Sequence, residues 1–126
     1  MKALQIIESA YRCTIEEQDD PAVWIAHAMK TTGADLSVLL RGNAVNYAVR
    51  GQDASGLVFG EVSHAHPPQI DMEITRFLTK GIDVYLVEED ADERGIDASA
   101  IMPGIKPIPR QRLPVLFSEH DQIWHW

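Results

Sequence analysis

The sequence predicts an α/β protein, a three-layer α/β/α arrangement around a parallel sheet of about five strands. Two observations carry this expectation. Short apolar runs alternate along the chain with helical segments, the order that parallel strands with crossover helices require. The central runs, Asp35 to Leu40 and Ile82 to Val87, are also too continuously apolar for strands with one wet face, so both faces of the sheet should be covered.

Each element follows from local signals. Ala3 to Ile7 is apolar with β-branched members and reads as the first strand. Tyr11 to Asp20 is polar and acidic, a loop at that strand's C-terminal end. Asp20-Pro21 starts a helix, with Asp20 as N-cap and Pro21 in the first helical position. Ala22, Ile25, Ala26 and Met29 form its apolar stripe, widened by Trp24 and Ala28, and Gly33 ends it. The strand Asp35 to Leu40 leads into the turn Arg41-Gly42-Asn43, where Asn43 is placed to cap a short helix running to about Arg50.

Gln52 to Pro68 holds two glycines and a Pro-Pro pair and reads as irregular. Asp71 to Lys80 is helical in pattern, with Ile74, Phe77 and Leu78 on one side. Ile82 to Val87 is the clearest strand, followed by Glu88-Glu89-Asp90 and a turn of helix over Ala91 to Arg94. Asp97 to Met102 reads as a short helix, and Ile105 to Ile108 as a short or edge strand because it contains Pro107. Leu113 to His120 is a last helix and Gln122 to Trp126 a terminal strand.

A length of 126 residues fits one domain over positions 1–126, and 45% apolar residues is ordinary for a globular chain. No run approaches the roughly 18 apolar residues of a membrane span. The Met1-Lys2 start has no small-residue cleavage site after it, so no signal peptide is expected. One cysteine, Cys13, excludes an internal disulfide and suits a reducing compartment, here the cytoplasm. A net charge of −8, from 19 acidic and 11 basic side chains, disfavours nucleic acid as a partner. Neither a glycine-rich phosphate loop nor Gly-x-Ser-x-Gly occurs, and no cofactor is expected.

Ligands of open parallel sheets bind beyond the carboxyl ends of the strands. That rule selects Glu8 to Cys13, Arg41 to Tyr47 and Glu88 to Arg94. Glu8, Arg12, Arg41, Asn43, Tyr47, Glu88, Glu89 and Arg94 are the candidate ligand-binding side chains, and Cys13 and Asp90 the candidate catalytic ones. Arg41-Gly42-Asn43 either presents free backbone N–H groups to an anion or is a plain turn. Glu88-Glu89-Asp90 either crowds three carboxylates until one pKa rises, or holds a hard cation, or splays apart into solvent and capping roles. Arg12 beside Cys13 could lower the thiol's pKa, although a lone loop cysteine is more often only a small residue. His64-Ala65-His66 has the look of a two-ligand metal arm without a third ligand nearby, so no metal site is expected. Trp24, Trp124 and Trp126 close the core or line a subunit contact, the core being the simpler reading.

Several segments together resemble the DsrE/DsrF-like family, which includes the TusD, TusC and TusB subunits of sulfur relay. Pro21 to Gly33 followed by Ala34 to Leu40 is similar to that family's first helix and second strand. Arg41-Gly42-Asn43-Ala44-Val45 and Ala48 resemble its Gly-Asp/Asn-Ala-Val turn. Lys80 to Val87, then Ala91 to Ile96 with Arg94-Gly95-Ile96, resemble its central strand and Arg-Gly-Leu/Ile segment, and Asp121 to Trp124 its closing strand. The resemblance implies assembly into a homo-oligomer (dimer, trimer or hexamer) or a heteromer with related subunits, with a sulfur-carrier protein as a possible partner. It also implies a sulfur-carrying cysteine just before the alanine of the Arg-Gly segment. Here that position is Asp90, and a carboxylate cannot carry a persulfide.

Three readings follow. The chain is a structural or ligand- and partner-binding member associated with sulfur metabolism, or a sulfurtransferase acting through Cys13, or a small enzyme using Glu88, Glu89 or Asp90 as acid or base.

Overall fold

The computed structural model describes residues 1–12 and 20–126. Five strands, β1 (Lys2–Ile7), β2 (Asp35–Leu40), β5 (Val84–Val87), β6 (Lys106–Ile108) and β7 (Gln122–His125), form one sheet in the order β6-β5-β2-β1-β7. Every pairing in it is parallel. β6, with its Pro107, lies at one edge, where a missing N–H costs little.

The side-chain period of two sorts the strands' residues onto two faces. Ala3, Ile7, Leu36, Val38, Leu40, Val84 and Leu86 pack with helices α1 (Pro21–Thr31) and α2 (Ile70–Thr79) through Val23, Ala26, Ile74 and Phe77. Leu4, Ile6, Leu39 and Val87 meet Leu113 and Leu116 of helix α4 (Leu113–Ser118) on the other face. Three layers result, with the most apolar strands in the middle, as their sequence demands. Helix α1 begins where the cap signal placed it: the Asp20 carboxylate accepts the Ala22 N–H at 2.8 Å and Pro21 follows. None of the described helices is long and apolar enough to cross a membrane.

Four features differ from the sequence reading. Helix α3 (Glu88–Glu93) starts directly at the end of β5 rather than at Ala91. Three carboxylates in its first turn oppose the positive end of the helix dipole, which favours an immediate start. After β2 the chain forms a 3-10 helix over Gly42–Ala48, and Asn43 does not cap it; the preceding residue is Arg41, without a side-chain cap. The stretch from Gln52 to Pro68 is not wholly irregular, because β3 (Val58–Phe59) and β4 (Val62–Ser63) pair antiparallel in a hairpin. Lastly, Trp24 and Trp126 are not core residues but exposed, and only Trp124 packs partly against the core.

Candidate functional site

β1, β2 and β5 are adjacent and point the same way, so their C-terminal tips share one edge. Their following residues, Glu8, Arg41-Gly42-Asn43 and Glu88-Glu89-Asp90, form a charged corner there.

Asp90 is its centre. One carboxylate oxygen accepts the Gly42 backbone N–H at 2.7 Å, and the other meets the Arg110 guanidinium at 2.6 Å. Its side chain is only 13% exposed. Burial alone would push this carboxyl up. The Gly42 N–H, the Arg110 hydrogen bond and the charges of Arg110 and Arg94 outweigh it and hold Asp90 below its ordinary value. The expectation that crowded carboxylates raise one pKa therefore fails at Asp90. The reason is geometric: successive residues of a helix diverge. Glu88 is exposed, whereas both Glu89 oxygens accept the Arg110 backbone N–H, at 2.8 and 3.0 Å.

The flanking side chains are also tied down. Arg94 donates from Nε and Nη2 to the Asn43 side-chain oxygen at 3.0 and 2.9 Å, and from Nη1 to the Asp90 carbonyl at 3.0 Å. Glu8 stands 3.6 Å from Arg41 and 2.6 Å from His125 Nε2. Gly42 takes a left-handed φ of 57°, and a Cβ there would meet Glu8 Cγ at 3.1 Å and the Glu8 carbonyl oxygen at 3.3 Å. That close approach lets the tips of β1 and β2 touch.

Tyr47 and Arg12 lie apart from this cluster. Tyr47 is fully buried, its hydroxyl donating to the Asp20 carboxylate and accepting the Arg12 backbone N–H at 3.3 Å. The Arg12 side chain is exposed, and Cys13 lies outside the described residues. Sequence reasoning missed Arg110 and His125. Both sit at the tips of strands too, β6 and β7, so the strand-tip rule would have reached them had it been applied to the edge strands. Among the described residues, no group of three or more His, Cys, Asp or Glu side chains is placed to hold a metal ion.

Chemically, the corner is a network of ion pairs and hydrogen bonds centred on Asp90. Its central anion is supplied by the chain itself, and it contacts a backbone N–H and a guanidinium that would otherwise face an external anion.

These features define an α/β/α protein with a five-stranded parallel sheet and a self-neutralised charged corner at its strand tips. Solved structures share the fold. A YchN protein from E. coli aligns over 100% of both chains with a TM-score of 0.75 and 19% identity. A conserved protein of unknown function from Bacteroides thetaiotaomicron covers 98% of this chain and 94% of its own at a TM-score of 0.68 and 18% identity. A protein of unknown function from Methanobacterium thermoautotrophicum covers 98% and 97% at a TM-score of 0.66 and 8% identity. No protein-family model matches the chain, and no curated protein matches it.

Proposed function

We propose that this chain is a structural, partner-binding DsrE-like protein associated with sulfur relay, which assembles with copies of itself and does not carry sulfur. The observation behind this reading is the locked Asp90 carboxylate. At the tip of the central strand β5, where the resemblance calls for a thiol, an acid is bound to Gly42 N–H and Arg110. A carboxylate held ionised by two donors has neither the sulfur for transfer nor the raised pKa of a general acid. Assembly is supported by the β3–β4 hairpin. Its Leu57, Val58, Phe59 and Val62 side chains are all exposed, and an isolated two-stranded hairpin is marginal in water without a surface to pack on.

Intact-mass analysis after incubation with a persulfide donor tests the reading. The natural protein should gain no sulfur. Asp90→Cys should gain one atom, because the same N–H and guanidinium would stabilise a thiolate. Native mass should show an oligomer that Phe59→Asp dissociates. A sulfur adduct on the natural protein that Cys13→Ser abolishes, or a strict monomer, would overturn it.

A further inference from the structure

Away from the strand tips, a groove of about 560 Å³ runs between α1 and α2 and is closed on a third side by Ala65, His66 and Pro67. Its volume lies in the range of small-molecule sites. None of its lining residues belongs to the charged corner, and its own side chains are arranged with care.

Trp24 stands on the α1 wall with 56% of its surface exposed. An indole left this open beside a cavity is a ready stacking face. On the floor, His27 is held by two neighbours, Glu73 and Phe77. Its Nε2 lies 3.0 Å from the Glu73 carbonyl and 3.2 Å from the Glu73 carboxylate, and its ring packs on Phe77 at 4.3 Å between centroids. Both contacts at Nε2 are acceptors, so the proton sits on Nε2 and Nδ1 is left as an acceptor. Burial lowers the imidazole's pKa from its ordinary value, which favours the neutral form. Glu73 in turn is paired with Arg76, whose guanidinium is half exposed at the rim. His66 adds a second exposed ring on the third side.

The groove thus offers flat π faces, fixed acceptors in Glu73 and His27, and one rim cation. We propose that it binds a planar heteroaromatic ring with N–H donors on its edge, of the nucleobase class, as a nucleoside or mononucleotide. The ring stacks on Trp24, its donors meet Glu73 or His27, and a phosphate, where present, lies toward Arg76. A sugar phosphate lacks the flat ring edge of N–H donors that Glu73 and His27 would accept. Two exposed rings, Trp24 and His66, favour a base over a simple anion, as does the overall charge of −8.

Calorimetric titration of the intact protein with adenosine, AMP and ribose 5-phosphate tests this. Saturable binding of adenosine and AMP is expected, with none for the sugar phosphate. Trp24→Ala should weaken both about tenfold or more, and Glu73→Gln should weaken both several-fold. Arg76→Ala should weaken AMP more than adenosine. Trp24 is an exposed residue, so its replacement leaves the fold intact, as circular dichroism would verify. Absence of saturable heat with either base-bearing ligand would overturn the proposal. So would a Trp24→Ala variant that binds like the natural protein, ribose 5-phosphate binding as well as AMP, or a native assembly in which Trp24 fluorescence is shielded from acrylamide.

Discussion

The charged corner and the α1–α2 groove are built from the same kinds of side chain and use them in opposite ways. At the corner the central polar groups are answered by groups from other elements: Asp90 by Gly42 and Arg110, Asn43 by Arg94, Glu8 by His125. In the groove the polar groups answer one another too, through His27, Glu73 and Arg76, yet Trp24 and His66 stay open above them. A network that closes on itself fixes how strands and loops sit. A network closed beneath exposed rings leaves an ordered surface with binding area unspent. Asp90, a candidate catalytic residue in the sequence, is thus tied into a network of neighbours, and Trp24, which looked like core, is exposed.

The comparison breaks most readily at Gly42. Its left-handed φ of 57° and the nearness of Glu8 both oppose a side chain. Gly42→Ala should cost about 2–3 kcal/mol, of which roughly 1–2 is the conformational penalty alone. Gly51 is the internal control, since its φ of 75° carries the same penalty but nothing lies within 4 Å of its would-be Cβ. Gly51→Ala should therefore lose only about 1–2 kcal/mol. Urea midpoints of the two variants measure the difference. Equal losses would mean that the β1–β2 tip contact is loose and the corner less closed than described.

The sheet was legible because its signals are local. Asp35 to Leu40 is bounded by turn residues and carries four apolar side chains (Leu36, Val38, Leu39 and Leu40), and the strand has those bounds. Asp20-Pro21 announced α1 because a capping carboxylate and a preset φ act within two residues. The meeting of Glu8, Asn43 and Asp90 at one edge was legible at one remove, since parallel strands must end on the same side. What was hidden depends on strand order. Arg110 reaches Asp90 only because β6 lies beside β5, and His125 reaches Glu8 only because β7 lies beside β1. Trp24 misled for another reason: it borders the apolar stripe of α1, where a rotation of one residue separates core from solvent. The β3–β4 hairpin fell below notice because each strand is two residues long.

A smaller effect is expected at Asp90 itself. Asp90→Ala leaves the Gly42 N–H without its acceptor and Arg110 without its closest carboxylate. The cost should be about 1–2 kcal/mol, because Arg110 is half exposed and can turn to water or Glu93 while the amide cannot. Asp90→Asn keeps an acceptor oxygen for Gly42 and should lose less than Asp90→Ala. The contribution depends on pH in a defined direction. Asp90 has a lowered folded pKa, so its stabilisation is present above the ordinary value of 3.8 and is lost as pH falls through the lower native value. Acid unfolding of Asp90→Asn should therefore be shallower than that of the natural protein in that range.

The finest test lies in the groove, at His27. Its folded pKa is also lowered, chiefly by burial; the positive charges of Lys80 and Arg76 add to this, and the Glu73 carbonyl and carboxylate oppose it. The unfolded chain then takes up a proton near 6.5 that the folded chain resists. Stability from this group is complete above about 6.5 and falls as pH drops from there toward the native value, below which the loss levels off. Replacing His27 with Asn removes the titration while keeping a hydrogen-bonding side chain. The slope of the urea midpoint between about pH 7.5 and pH 5 should be smaller in His27→Asn, and the other four histidines cancel in the difference. A steeper slope in the variant would mean that protonated His27 is stabilised by Glu73. The imidazole would then be a cation in an ion pair, and the groove, like the corner, would be a charge network closed on itself.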